Sequence, residues 1–238
     1  MGSVRLREVL SRIGDVSASG RLPVAVFDLD STLFTTAPRN WAILQEFLKA
    51  PGREALSKQV AALRAEDIGW NIQDCLRERG IGDAALWNEL RRFWSDRFFT
   101  DEYVLHDKAL AGAAAFVTAC HSRGALIYYL TGRHVGGMEV GTVAALRSEH
   151  FPFWRGRCVL HLKPSFEMAD AAFKDDAVAD VRSYRGEVVA SFENEPGNAN
   201  MFLRAFPGAL HFLLTTVHSP NAEPGDPALI RSADFLLE

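Results

Sequence analysis

The sequence predicts an α/β protein with a three-layer, Rossmann-like core, in which parallel strands lie between helices and a helical segment is inserted near the start. Three observations support this prediction. An apolar run ends in two acidic residues within 24–30, and helix and strand patterns alternate from about 107 onward. The region between them, about 39–100, shows helical spacing without strand character. Such alternation is typical of βα units, whose strands lie parallel.

The first predicted strand ends in a pair of carboxylates. Residues 24–27 are all apolar, and Asp28 and Asp30 follow them. Side chains two residues apart in an extended chain point to the same side, and parallel sheets hold their working groups where strands end. Two adjacent buried carboxylates repel each other and therefore need a cation between them or a shared proton. The alternative interpretation is an ordinary polar turn or helix cap after a strand.

The predicted helical segment follows this strand. Apolar residues recur at helical spacing in three stretches, near 41–48, 56–63 and 86–94, with Pro51 and a glycine-rich stretch at 80–83 between them. Trp70 could line a pocket, and packing in the core is the alternative for this side chain.

The remaining elements complete the alternating pattern. Helices are predicted over 109–122, 135–149, 166–183 and 197–206, strands over 125–130, 158–162, 187–192 and 210–215, and a loop over 220–227.

The composition of the chain argues against several classes of binding partner and bound group. The 238 residues carry 26 basic and 30 acidic side chains, a net charge of −4, which gives no broad case for binding nucleic acid or a membrane. The three cysteines are widely spaced, so neither disulfides nor a zinc site is expected. We find no signal peptide and no apolar stretch of membrane-spanning length. These features predict a cytoplasmic protein, and they do not indicate its oligomeric state.

Four polar clusters fall at predicted strand ends or nearby helix starts. They are Asp28 with Asp30, Thr131 with Gly132, Lys174, and the turn at 193–195. Each alone is ordinary: Thr-Gly makes turns, and a helical lysine is usually solvated. Together they offer oxygen ligands for a hard divalent cation, which predicts Mg²⁺, and cationic and hydroxyl partners for a phosphoryl group.

In chain order these clusters resemble the four motifs of the haloacid dehalogenase-like (HAD) phosphohydrolase superfamily. The matching sequences are FDLDST at 27–32, LTGR at 130–133, Lys174 in FKDD at 173–176, and FENEP at 192–196. The resemblance implies a HAD-like core over 1–36 and 104–238 and a helical cap of the C1 type over 37–103. Such a cap closes over small substrates and excludes water.

The resemblance also implies roles for the first acidic pair and its partners. Asp28 would be the nucleophile that becomes an aspartyl phosphate, and Asp30 would protonate the leaving oxygen and later activate water. Thr131 would hydrogen-bond the phosphoryl group, and Lys174 would balance its charge. Lys163 is a rival for the position of Lys174.

Metal and substrate residues follow from the same resemblance. Mg²⁺ would be held by Asp28, by the main-chain carbonyl of Asp30 and by Glu193. The substrate-binding residues are expected to be Ser31, Thr32, Gly132 and Arg133, with an exposed salt bridge as the alternative for Arg133.

The fourth motif departs from the family pattern, which commonly has aspartate at the position of Glu193. Glutamate remains a hard oxygen ligand, directly or through water, and Glu195 is its rival. Asp30 favours phosphate chemistry, because the haloacid-cleaving members generally lack an acid there.

The predicted function is Mg²⁺-dependent hydrolysis of a small phosphorylated metabolite through an aspartyl phosphate. Two alternatives stay open: a phosphotransferase or phosphomutase of the same fold, and a non-catalytic phosphate-binding regulatory protein.

Overall fold

A six-stranded parallel sheet forms the core of the computed structural model, which describes residues 2–154 and 156–237. The strand order is β5-β4-β1-β6-β7-β8. The strands are β1 (Pro23–Phe27), β4 (Leu126–His134), β5 (Cys158–Lys163), β6 (Glu187–Glu193), β7 (Leu210–Leu214) and β8 (Ile230–Ser232). Helices cover both faces of this sheet, so the predicted α/β, Rossmann-like class is confirmed.

The sheet is buried on both faces because its central strands are apolar throughout. All five residues of β1 are buried. On one face Phe27 stacks on Phe192 of β6, with ring centroids 4.7 Å apart. On the other face Val24 and Val26 pack with Phe173. This two-sided burial explains why β1 has no polar residue before Asp28.

Ten helices are described in residues 2–154 and 156–237. They are α1 (Gly2–Ala18), α2 (Ala37–Leu48), α3 (Glu54–Gln59), α4 (Ile72–Glu78), α5 (Ala84–Phe98), α6 (Asp101–Val104), α7 (Ala113–Ser122), α8 (Val135–Ser148), α9 (Asp170–Ser183) and α10 (Pro196–Ala205). A single 3₁₀ turn covers Ala65–Asp67. None of these helices is both long enough and apolar enough to span a membrane.

The helical segment, α2 to α6, has an apolar core of its own. Its buried members include Ile43, Leu44, Ile72, Leu76 and Leu90. The chain enters and leaves this segment through a two-stranded antiparallel ribbon, β2 (Phe34–Thr35) with β3 (Lys108–Ala109), in which Thr35 is paired with Lys108. The boundaries 37–103 and the cap role stay predictions. Residues 1, 155 and 238 of the predicted core lie outside the described residues.

Several element boundaries differ from the prediction. Strand β4 continues through the predicted turn as far as His134, with an irregular register between Thr131 and His134. Helix α7 begins at Ala113 because β3 occupies 108–109 and Gly112 adopts a left-handed φ of 76°. Helix α9 begins only at Asp170.

Candidate active site

A buried lysine joins two carboxylates at the carboxyl edge of the sheet. Asp28 follows β1, Glu193 ends β6, and Lys174 lies on α9. The Lys174 Nζ atom donates to Asp28 Oδ1 at 2.7 Å and to Glu193 Oε2 at 2.6 Å. The three side chains are almost fully buried, with exposed fractions of 7%, 5% and 1% for Asp28, Lys174 and Glu193. The strand register accounts for this meeting, because Phe27 pairs with Phe192.

This arrangement changes the proton affinities of the groups. Burial of the carboxyl group, and then the charge of Glu193, raise the pKa of Asp28 to about 7, although Lys174 acts in the opposite direction. Burial lowers the pKa of Lys174, but the charges of Asp28 and Glu193 outweigh it and hold that pKa above its ordinary value. Lys174 is therefore a permanent cation between two carboxylates.

A cluster of buried charged side chains surrounds Asp30, which is itself 33% exposed. Arg133 donates from Nε to Asp30 Oδ2 and from Nη2 to Asp30 Oδ1, both at 2.9 Å. Arg39 donates from Nη2 to Asp30 Oδ1 at 2.8 Å and from Nε to Asp107 Oδ1 at 2.9 Å. Arg133 also donates to Asp107 Oδ2 at 2.7 Å. Two arginines and two aspartates thus form one connected network, which we call the Arg39–Arg133 cluster.

The Arg39–Arg133 cluster keeps Asp30 ionised. Burial raises the pKa of Asp30, but the charges and hydrogen bonds of Arg133 and Arg39 outweigh burial and hold it well below its ordinary value. The exposed salt bridge considered for Arg133 is wrong, because its side chain is completely buried. Arg133 reaches this site because β4 extends beyond Thr131, and its carboxylate partners compensate its desolvation.

The hydroxyl residues of the two motifs lie deeper than the acids. Thr131 is fully buried and its Oγ1 atom accepts from the Arg133 amide at 3.2 Å. Thr32 is likewise buried and donates to Asn194 Oδ1 at 3.2 Å. Ser31 and Gly132 line the cavity described below. Ser31 adopts a left-handed φ of 57°, which ends the extended chain and starts the turn after Asp30.

The two acidic residues of the fourth motif have different partners. Glu193 Oε1 accepts from the backbone amides of Asn194 and Glu195, at 3.1 and 3.2 Å, while its other oxygen meets Lys174. Glu195 accepts from the amide and hydroxyl of Ser219, at 2.7 and 2.9 Å. The extra methylene of Glu193 allows its carboxylate to fold back onto the turn that follows it.

The described residues contain no group of three or more His, Cys, Asp or Glu side chains arranged to hold a metal ion. Asp28, Asp30 and Glu193 therefore form no three-carboxylate cage. The donor chemistry nevertheless fits Mg²⁺, which proteins commonly bind through one or two carboxylates together with water and substrate phosphate. The described hydrogen bonds to the Asp28 carboxylate reach only Oδ1, and Asp28 lines the cavity.

A cavity of about 890 Å³ opens above these residues, between the sheet edge and the helical segment. Its floor includes Asp28, Asp30 and Lys174. The opposite wall is formed by side chains of α4, of α5 and of the loop before α4. Trp70 is one of them, so of the two interpretations of this side chain, pocket lining and core packing, the structure supports pocket lining. A volume of this size accommodates an organic ligand rather than phosphate alone.

Sequence reasoning missed Arg39 and Asp107. Both are buried and meet Asp30 or its partner, yet one lies on α2 and the other follows α6. Lys163, considered as a rival of Lys174, instead donates to Asp170 Oδ1 at 2.6 Å.

Comparison with known proteins identifies the architecture. No family model and no curated protein matches the chain. Among solved structures, a candidate phosphatase from Clostridium difficile is similar over 85% of this chain and 89% of its own, at 14% identity and a TM-score of 0.53. A HAD-superfamily hydrolase of subfamily IA from Geobacter sulfurreducens is similar over 90% and 93%, at 12% identity and a TM-score of 0.50. The chain has the HAD-like fold.

Two further solved structures are also similar to this chain. Protein tyrosine kinase A from Mycobacterium tuberculosis is similar over 90% of this chain and 94% of its own, at 14% identity and a TM-score of 0.51. This chain spans 64% of the length of a class C acid phosphatase from Bacillus anthracis, with 15% identity and a TM-score of 0.40. Identities at this level establish the fold, and activity is argued from the site itself.

Proposed function

We propose that the protein is a phosphatase that hydrolyses phosphate monoesters of small metabolites with Mg²⁺, through an aspartyl phosphate on Asp28. The observation that carries this proposal is the Asp28–Lys174–Glu193 contact at the floor of the cavity. It presents a carboxylate nucleophile to the cavity while a buried cation compensates its charge.

The charge balance supports a divalent cation at this floor. When all four acids are ionised, the carboxylates of Asp28, Asp30, Asp107 and Glu193 face the three cations Arg39, Arg133 and Lys174, which leaves a net charge of −1 before substrate binds. A phosphate dianion would add two more negative charges to a poorly solvated site. Asp28 and the main-chain carbonyl of Asp30 would hold Mg²⁺, which neutralises phosphoryl charge when bound.

The chain's own groups would then carry the reaction in two steps. In the first, an oxygen of Asp28 bonds to phosphorus, the ester P–O bond breaks, and the leaving oxygen takes a proton from Asp30. In the second, water attacks phosphorus, gives its proton to Asp30, and phosphate leaves Asp28. The ionised Asp30 of this structure is the form required for the second step. Its protonation for the first step is opposed by Arg133 and Arg39, which favour the ionised carboxylate.

Thr131 and Lys174 would hold the nonbridging phosphoryl oxygens, and Ser31 and Thr32 of the turn after Asp30, together with Gly132 of β4, would surround them. The helical segment over 37–103 would act as the cap that excludes water from the acyl phosphate. The HAD-like fold of the candidate phosphatase from Clostridium difficile supports this assignment.

The test is release of phosphate from acetyl phosphate and an aryl phosphate, with and without Mg²⁺. The wild-type protein is expected to require Mg²⁺, and Asp28→Asn is expected to lose at least about 10³-fold of kcat, since the nucleophile is gone. Absence of turnover over a broad phosphate panel would instead support the non-catalytic phosphate-binding alternative.

The same assay addresses the fourth motif. Glu193→Gln is expected to raise the Mg²⁺ concentration for half-maximal activity by about tenfold or more, because outer partners of a metal commonly have effects of this size. Glu195→Gln, whose carboxylate is bonded to Ser219, serves as the matched control. Loss of the metal requirement in Glu195→Gln alone would contradict the assignment of Glu193.

Phosphoryl transfer to an acceptor other than water is a second candidate. It is supported by the fold shared with the protein named a tyrosine kinase. Separation of products with an added alcohol or sugar phosphate acceptor distinguishes the two reactions, since hydrolysis releases all phosphate and transfer forms a new ester.

A further inference from the structure

The cavity wall opposite Asp28 carries an unusually exposed tryptophan. Trp70 precedes α4, lines the cavity, and is 47% exposed. Within residues 2–154 and 156–237, no described hydrogen bond or aromatic contact involves its ring. By contrast, Trp94 stacks on Phe98 at 4.5 Å and donates to Asn40, and Trp87 donates to Ile81. Trp70 is therefore the cavity tryptophan whose face is available to a ligand.

A second residue that lines the cavity carries a side-chain amide nitrogen without a hydrogen-bond partner among the described residues. Gln73 is three residues after Trp70, in the first turn of α4, and lines the same cavity. Its side chain is 8% exposed, and its Nε2 atom has no hydrogen-bond partner among the described residues. A buried amide without a partner is unfavourable unless a ligand satisfies it. An amide also offers one donor group and one acceptor side by side, which complements the edge of a nucleobase.

The charges on this wall select against a cationic leaving group. Arg77 and Arg91 both line the cavity. Arg77 is paired with Asp74 at 3.0 Å and lies over the Trp87 ring. No carboxylate of the described residues lies within ion-pair distance of Arg91. An aromatic wall without arginines would also suit a quaternary ammonium group, but Arg91 leaves one positive charge on this wall without a described carboxylate partner, which disfavours such a group.

The stacking ring and the amide belong to the same cavity as the catalytic floor. A cavity of about 890 Å³ connects them to Asp28 and Lys174. A ligand with a phosphate at one end and a planar, hydrogen-bonding ring at the other would therefore complement both the floor and the wall. Bases stack on aromatic side chains because every base has a π face, and a free tryptophan is suited to this contact.

We propose that Trp70 and Gln73 form a nucleobase subsite, so that the preferred substrate is a nucleoside monophosphate. This inference rests on the proposed function, whose site it shares. Trp70 would stack on the base, Gln73 would hydrogen-bond its edge, and the phosphate would reach Asp28.

A matched pair of substrates tests this directly. A nucleoside 5′-monophosphate carries a base where ribose 5-phosphate carries its anomeric hydroxyl group. The wild-type protein is expected to show a kcat/KM for the nucleotide about tenfold or more above that for ribose 5-phosphate, the size expected for one stacked base. Trp70→Ala and Gln73→Leu are expected to reduce that ratio, Trp70→Ala to about one. Trp70→Phe is expected to keep most of it.

Trp154→Ala is the control. Trp154 is another exposed tryptophan, but it packs near Arg147 and lies outside the cavity. It should leave the ratio unchanged. Equal use of both substrates by an active wild-type protein, or a nucleotide preference that survives Trp70→Ala, would overturn the nucleobase subsite while leaving the phosphatase proposal intact.

A binding measurement tests the nucleobase subsite independently of the proposed phosphatase activity. Calorimetric titration of adenosine, guanosine, cytidine and uridine monophosphates into the Asp28→Asn protein needs no turnover. Binding of at least one of them that weakens about tenfold in the Trp70→Ala background supports the subsite even if no phosphate is released. Absence of binding by all four overturns it.

Discussion

Lys174 is the residue on which the charge balance of the site depends. Its ammonium group meets Asp28 and Glu193, and all three groups are buried. Lys174→Met is expected to lower the free energy of unfolding by about 3–5 kcal/mol, because two carboxylates then remain buried without their cation. Urea denaturation measures this loss.

The double variant Lys174→Met with Glu193→Gln is the control for that interpretation. It removes one of the two carboxylates that Lys174→Met leaves buried without a cation, and it should recover part of the lost stability. If the double variant were less stable than Lys174→Met by the full cost of a second independent substitution, the loss would come from packing rather than from charge.

The raised pKa of Asp28 predicts a pH dependence of stability. The unfolded carboxyl group loses its proton near its ordinary pKa of 3.8, whereas the folded one keeps it up to about pH 7. Between these values the folded state binds more protons, so stability should fall as pH rises through this window. Asp28→Asn cannot titrate there. The metal-free wild-type protein should therefore lose more stability than Asp28→Asn between about pH 5 and pH 8. The extra loss should be about 1.4 kcal/mol for each pH unit that lies between the unfolded and folded pKa values.

Thermal unfolding of both proteins across this range measures the difference. Parallel pH profiles would show that Asp28 titrates near its ordinary value in the folded state. Mg²⁺ should reduce the wild-type slope, because a cation favours the ionised carboxylate.

The sequence was most informative where a residue broke the local pattern. Asp28 and Asp30 stood out because a buried strand rarely ends in two acids, and Lys174 was recognised by its order among the motifs. Arg39 and Asp107 could not be found in this way, since their role depends on contacts between chain segments 68 positions apart. The cost of burying an arginine is offset only by partners that the linear sequence does not reveal.

At the scale of single elements, helix α8 depends on one glycine. A Cβ atom at Gly141 would lie 2.3 Å from the carbonyl oxygen of Asp101 in α6. The Gly141 amide also donates to Asp101 Oδ1 at 2.6 Å. Gly141→Ala is expected to destabilise the protein by about 1–3 kcal/mol, because the α6 backbone must move away.

Gly136 on the same helix provides the matched comparison. Its added Cβ atom would meet nothing closer than His134 Nδ1 at 3.9 Å. Gly136→Ala should be neutral or stabilising by up to about 1 kcal/mol, because alanine favours helix. Chemical denaturation of both variants checks the contrast, and equal losses would refute the contact with α6.

Element prediction succeeded for the main strands and α8, and it failed for the short strands and for α1. The main strands and α8 were found within a few residues of their observed bounds. The short strands β2, β3 and β8 have two or three residues each, too few for a repeating pattern, and exist through their partners. Helix α1 was missed although Leu6, Val9, Ile13 and Val16 recur at helical spacing and are buried.

At the scale of the whole molecule, the Arg39–Arg133 cluster joins the helical segment to the sheet. Arg39 belongs to α2 and Asp107 follows α6, whereas Asp30 and Arg133 belong to the sheet edge. Arg133→Met is expected to cost about 3–5 kcal/mol of unfolding free energy, because Asp30 and Asp107 then share one guanidinium group.

Arg12→Met is the surface comparison for this prediction. Arg12 pairs with Glu8 at 2.7 Å, and both side chains are partly exposed. Its loss should cost less than about 1 kcal/mol. If urea midpoints shifted equally in Arg12→Met and Arg133→Met, burial would not be what makes the cluster important.

The ribbon of β2 and β3 has a consequence for the modularity of the chain. Since Thr35 is paired with Lys108, the two ends of the helical segment are held about one interstrand spacing apart, roughly 5 Å. A short turn can span such a gap with little loop-closure entropy. The ribbon is therefore a natural splice point, at which different helical inserts can be exchanged while the sheet keeps its connectivity.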